Sequence, residues 1–159
     1  MNLQFPKPLS LYSIEEGNIL MPRFDLQNIL TCVTQEANTN EVLMLGYMNQ
    51  SALQLTIETG YAHYYSRARK KIWKKGEQSG QTQVVKTILI DDDQDTILIK
   101  VTLPKGASCH VGYRSCFFRQ LNCKNKTTDN SLNFLETQKV YNPDDVYILS
   151  GKEDLDHNL

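Results

Sequence analysis

Between Ala107 and Arg119 the chain reads ASCHVGYRSCFFR, a run that holds two thiols, an imidazole and two guanidinium groups. Cys109 and Cys116 have six residues between them, and Gly112 lets the intervening backbone turn, so both sulfurs can face one point. Sulfur beside the imidazole of His110 suits a borderline-soft cation, and zinc is the usual occupant. The cationic neighbour Arg114 favours the thiolate, which is the form that binds metal. Two thiols do not complete a tetrahedral site. The remaining ligands must be His110, an aspartate, water or residues of another subunit. The plainer alternative for the pair is two buried thiols or a disulfide.

A second cluster lies upstream, Asp91-Asp92-Asp93-Gln94-Asp95. Several carboxylates so close together repel one another, and a hard cation bound on oxygen relieves that cost. The run fails as a calcium loop, because it lacks the central glycine and has Thr102 where the closing glutamate belongs. Its plainer reading is a solvated Asp-rich turn. Alternation would put Asp91, Asp93 and Asp95 on one side and Asp92 on the other, so two sides could serve two metal sites.

The third stretch is RARKKIWKKGEQSG, from Arg67 to Gly80. A run of this kind is commonly a solvated charged face. It also suits a phosphate-binding wall, with Arg67, Arg69, Lys71 and Lys75 as cations and Gly76, Ser79 and Gly80 allowing close approach. Trp73 in its middle can stack on a base or fill core. His63 reads as a strand histidine and His157 as part of the C-terminal tail.

The segments that must position these residues are mostly strands. Ile29 to Gln35 and Val42 to Tyr47 flank Ala37-Asn38-Thr39-Asn40, a hairpin signal. Asn49 can cap a helix running through Glu58, with Leu53 and Ile57 on one face and Gly60 as its stop. Tyr61 to Ser66 returns to strand character. Val84 to Ile90 and Thr96 to Leu103 are two further strands joined by the aspartates, and Cys116 to Leu121 reads as another. Asn122 to Asn133 is polar and irregular, and Asn142-Pro143 can start a short helix through Leu149 with Gly151 as its stop. The fold class is therefore α+β, a strand-dominated mixed-sheet domain with one or two short helices. Residues 1–23 form an N-terminal arm, residues 24–121 the domain and residues 122–159 a linker and tail.

With 159 residues and 18.2 kDa there is room for one domain. The net charge of -1 argues against a general nucleic-acid binder, which needs excess positive charge over a whole face. No segment approaches the length of a membrane span, and Met1 to Pro8 does not resemble a signal peptide. The expected setting is a reducing cytoplasm, with Cys32 and Cys123 structural and no glycan on Asn125.

Taken together, these stretches resemble phosphoribosyl-AMP cyclohydrolase, a histidine-biosynthesis family that opens the adenine ring. The matching motifs are VLMLGYMNQSAL (Val42 to Leu53), TGYAHYYSRAR (Thr59 to Arg69), WKKGEQSGQTQ (Trp73 to Gln83), the aspartate cluster and ASCHVGYRSCFFR. They cover about Phe24 to Gln120 in the family's order. The resemblance implies an intertwined homodimer with zinc shared between subunits. Cys109 and Cys116 would be zinc ligands, and Asp91, Asp93 and Asp95 would hold magnesium. The family's third zinc ligand is a cysteine between the first two of those aspartates, and here that position is Asp92. A Cys2Asp site is chemically reasonable, with a more Lewis-acidic metal held less tightly than by three thiolates.

The implied reaction is hydrolysis of 1-(5-phosphoribosyl)-AMP at the N1–C6 bond by metal-activated water, with His110 managing protons. Arg67, Arg69 and Lys75 would take the terminal phosphates of this small phosphorylated nucleotide. Trp73, Gly76, Ser79 and Gly80 would complete the substrate wall. A non-catalytic paralogue that binds nucleotide or metal is the alternative, because of Asp92. A structural zinc module is a third reading. A zinc nucleobase deaminase is disfavoured, since the chain lacks the His-x-Glu and Pro-Cys-x-x-Cys motifs.

Overall fold

A computed structural model describes residues 5–7, 10–121 and 131–147. The core begins with the hairpin of β1 (Ile29–Glu36) and β2 (Val42–Asn49), paired antiparallel from Ile29 opposite Asn49 to Gln35 opposite Val42. Its turn is tied by the Glu36 carboxylate, which accepts from the backbone N–H of Asn38 at 2.8 Å and of Thr39 at 2.7 Å. Helix α2 (Gln50–Thr59) follows directly. Asn49 caps it by accepting from Ala52 N at 2.9 Å, and Gly60 ends it in the left-handed conformation, with φ of 70°. Its buried face is Ala52, Leu53 and Thr56. Ile57, expected beside Leu53, is instead exposed, because the helix lies with that edge toward solvent.

Strands β5 (Val84–Ile90) and β6 (Thr96–Thr102) complete a four-stranded mixed sheet in the order β2-β1-β6-β5. The central pair, β1 and β6, runs parallel, and both outer pairs are antiparallel. Ile97, Ile99 and Val101 alternate inward from β6 and meet Leu30, Cys32, Leu43, Met48 and Leu53 in one cluster. Burial pushes the Cys32 thiol up to about 12, so it stays neutral as a small core residue.

The basic stretch is not wholly loop. Lys71–Lys74 forms β4, paired antiparallel with β3 (His63–Ser66) through a turn in which Lys70 has a φ of 49°. The pairing sets Trp73 opposite Tyr64, with ring centroids 5.1 Å apart.

Four other expectations change. Cys116 to Phe118 is irregular, and only Arg119–Leu121 is strand (β7), because the backbone of Cys116 is drawn instead to Leu43. Strand β7 pairs with β8 (Leu132–Phe134), so strand structure enters the stretch expected to be linker. The N-terminal residues, expected as an arm apart from the core, include α1 (Leu11–Glu15), and Ile14 and Met21 are buried. Helix α3 (Pro143–Tyr147) brings the short helices to three among the described residues. Cys123, Asn125, Leu149, Gly151 and His157 lie outside the described residues.

Candidate active site

The cysteine loop is held by backbone bonds before its side chains are considered. Cys109 N donates to Tyr113 O at 3.0 Å, Gly112 N to Cys109 O at 3.1 Å and Ser108 N to Arg114 O at 2.8 Å. Gly112 is required, since φ is 101° and a Cβ there would stand 2.3 Å from Tyr141 O. Residues beyond β8 clasp the loop from outside. The Glu136 carboxylate accepts from Arg114 N and Ser115 N, and Tyr141 OH donates to the carbonyls of Cys109 and His110. On the inner side, Cys116 N donates to Leu43 O at 2.7 Å, and Arg114 Nε pairs with Glu41 at 2.8 Å. The loop is thereby fastened to the β1–β2 hairpin.

This fastening brings the two thiols within hydrogen-bond reach of each other as free cysteines, not a disulfide. The neighbouring Cys116 thiol, with the backbone N–H groups of Val111 and Tyr113 and the Lys75 ammonium, lowers the Cys109 thiol from 9.0 to about 6. Cys116 is raised, by its contact with Cys109, by burial and by the adjacent Cys109 charge. The two thiols are thus driven apart, Cys109 toward thiolate and Cys116 toward thiol. Lys75 is 7% exposed and its pKa is lowered by burial, with the cysteines opposing the shift.

Cys116 and His110 open onto a cleft of about 810 Å³. Arg67, Arg69, Trp73, Lys75, Gly76 and Ser79 line the same cleft, with Lys75 close enough to the thiols to act on their charge. Three stretches far apart in sequence, the basic run, the end of β2 and the cysteine loop, thus share one space. The Arg67 guanidinium lies 4.0 Å over the Tyr47 ring, which steadies a cation on the wall. Gly80 does not line the cleft. It turns the chain with φ of 70°, and a Cβ there would meet Lys105 Nζ at 2.7 Å.

The aspartates stand elsewhere on the surface. In the β5–β6 turn, Asp91, Asp93 and Asp95 each present a carboxylate oxygen within 4.8 Å of the others, a group able to take one metal ion. Asp92 is exposed and not part of that group. The turn is pinned by Thr96 N donating to Asp91 Oδ1 at 2.9 Å and by Gln94. Gln94 has a φ of 59°, and its buried amide accepts from Met21 N and donates to the carbonyls of Ile14 and Ile19. Arg23 pairs with Asp93 Oδ2 at 3.2 Å. Asp95 borders a smaller pocket of about 230 Å³, and Tyr47 borders both this pocket and the main cleft.

Tyr47, Tyr64 and Ser108 also line the main cleft and were not singled out from sequence. Only Ser108 carried a signal, its place directly before Cys109.

Comparison with known proteins converges with this geometry. The family model described as phosphoribosyl-AMP cyclohydrolase matches residues 44–118. A phosphoribosyl-AMP cyclohydrolase of Caulobacter sp. (strain K31) is 50% identical over 117 residues, covering 72% of this chain and 87% of its own length. The protein of the same name from Methanobrevibacter smithii is 53% identical over 123 residues, covering 76% and 92%. That of Rhodopseudomonas palustris (strain HaA2) is 44% identical over 138 residues, covering 87% and 93%. With identity this high over most of both chains, and with the matched segment holding the cationic wall and the thiol pair, the chain belongs to the phosphoribosyl-AMP cyclohydrolase family.

Proposed function

We propose that this chain is a metal-dependent hydrolase of histidine biosynthesis that opens the adenine ring of 1-(5-phosphoribosyl)-AMP at N1–C6. The observation that carries the reading is one cleft lined both by the cations Arg67, Arg69 and Lys75 and by His110 and Cys116, with Cys109 beside them. The family and its relatives by name support the same substrate, a small phosphorylated nucleotide.

The donor sets fit the two metals that the family implies. Two neighbouring sulfurs, one of them with its pKa lowered toward thiolate, fit zinc. Three converging carboxylates fit magnesium. Among the described residues no third His, Cys, Asp or Glu joins the thiol pair, as a group of three is found only at the aspartates. A homodimer in which Asp92 of the second copy completes the zinc site answers that shortfall, and the exposure of Asp92 is compatible with it. Zinc would supply Lewis-acid activation of water at the cysteine end of the cleft.

The chain's own groups do the rest. Arg67, Arg69 and Lys75 bind the phosphates, with Gly76 and Ser79 beside them on the wall. Trp73 offers a ring face to the base. In the N1-substituted cation, C6 is electrophilic. Water oxygen bonds to C6, and the N1–C6 electron pair goes to N1. One water proton ends on N1 and the other leaves to solvent, so a cationic ring gives a neutral carboxamide. His110, at the mouth of the cleft, accepts and returns the moving proton at its imidazole. Free thiols of this kind suit a reducing cytoplasm.

The second reading, a non-catalytic nucleotide-binding paralogue, draws on Asp92 alone. Turnover of phosphoribosyl-AMP with zinc and magnesium, in wild type beside Asp92→Cys, separates the two. Activity in wild type establishes the enzyme. Silence in wild type with activity in the variant marks a chain disabled at that ligand, and silence in both refutes the hydrolytic reading.

A further inference from the structure

The cleft wall beside Cys109 is backed by a file of buried polar groups. Thr34 Oγ1 lies 2.7 Å from Tyr64 OH, Tyr64 OH donates to Gln83 Oε1 at 2.6 Å, and Gln83 Nε2 donates to Ser108 Oγ at 2.9 Å. None of the four residues is more than 1% exposed. Groups buried this deeply are costly unless each is paired, so their donors and acceptors must be consistent along the file.

That consistency fixes where every proton lies. Gln83 Nε2 also lies 3.5 Å from Met44 Sδ, and a thioether only accepts, so the amide nitrogen faces Met44 and Ser108 while Oε1 faces Tyr64. Tyr64 has one proton and gives it to Gln83, so Thr34 must donate to Tyr64. Burial holds the Tyr64 phenol far above its ordinary pKa, so that proton stays in place. At the far end Ser108 Oγ accepts, which leaves its own proton to point elsewhere. Among the described residues that proton meets no acceptor, and Ser108 lines the main cleft with Cys116 and His110.

We propose that Ser108 Oγ–H is a donor to the oxygen that forms on the attacked ring carbon, and that Gln83 is the residue that positions it. The proposal rests on the hydrolytic reading above. A metal held by the thiol pair would set the reacting carbon at the cysteine end of the cleft, where Ser108, next to Cys109 in the chain, lines the same space. The oxygen there passes from water to carboxamide carbonyl and gains negative charge on the way. A hydroxyl whose oxygen is held by Gln83 stabilises that charge with little reorganising.

The test uses protein loaded with zinc and magnesium. Ser108→Ala should lower kcat about a hundredfold with KM nearly unchanged, the signature of a contact made in the transition state. Gln83→Leu should reproduce the loss, and the double variant should add nothing to it. Product affinity by calorimetry should fall about tenfold in Ser108→Ala, as for a lost hydrogen bond to a buried oxygen. Wild-type kcat in Ser108→Ala, or unchanged product affinity, overturns the proposal. A wild type that binds product but shows no turnover refutes the hydrolytic reading instead, and calorimetry still decides whether Ser108 donates. Thermal melts identify a merely structural role, which would lower the midpoint and leave kcat intact.

Discussion

Gly46→Ala is a small change with a large expected cost. Gly46 sits in β2 opposite Cys32, and a Cβ there would stand 2.7 Å from Tyr64 Cδ1 and 3.0 Å from Cε1. Carbon pairs prefer about 3.5–4.0 Å, so about 1 Å of overlap must be relieved. The ring cannot swing aside. Its hydroxyl is held by bonds of 2.7 and 2.6 Å, and Trp73 packs against it. Overpacking costs about 1–3 kcal/mol, and a locked ring places this site near the top of that range. Alanine returns about 0.5–1 kcal/mol by restricting the unfolded backbone, leaving about 2 kcal/mol net. With a urea slope of about 2 kcal/mol/M, the unfolding midpoint should drop by about 1 M at unchanged slope. Urea titration followed by tryptophan fluorescence reads the shift through Trp73. A midpoint equal to wild type would refute the claim that Tyr64 is immovable, and with it the fixed proton order behind Ser108.

Three further outcomes follow from the geometry. Asn49→Ala removes the cap bond to Ala52 N and should cost about 1 kcal/mol, seen as a fall of about 2–4 °C in Tm. Asp93→Asn should weaken magnesium binding in a calorimetric titration, whereas Arg23→Ala, which frees Asp93 from a competing cation, should strengthen it up to about fivefold. In metal-free protein the folded Cys109 thiol lies at about 6 against 9.0. Between these values the unfolded chain holds a proton that the folded chain does not, so stability should rise with pH across that window. Above it the raised Cys116 acts in the opposite sense. Cys109→Ser should flatten the rise, as read by urea midpoints across that pH range.

Much of the sheet was legible because its strands carry their own signals. The Ala37 to Asn40 hairpin, the Asn49 cap and the alternating Ile97, Ile99 and Val101 are local patterns with local causes. Strand β4 was hidden because Lys71 to Lys74 is cationic, and its pairing with β3 is decided by what Tyr64 and Trp73 pack against. The parallel β1–β6 pairing has no local signature either. At the site, the residue types were legible and their company was not. Basic run and cysteine loop meet across the cleft through folds of chain that no spacing encodes, while the aspartates remain apart. Ser108 and Gln83 escaped notice because a serine or glutamine gains meaning only from its partners.

The aspartate turn and the cysteine loop are both fastened by segments near the ends of the described chain. Met21, Ile14 and Ile19 grip Gln94 in the aspartate turn, and Glu136, Val140 and Tyr141 grip the cysteine loop. Such peripheral segments open at a lower free energy than a sheet interior. A ligand that binds only the closed form must raise the free energy of that opening. Amide exchange at residues 14–23 and 135–141 therefore becomes a gauge of metal occupancy. The periphery slows its exchange as each turn fills, and amides that exchange only through global unfolding slow as well, because unfolding releases the same ligand.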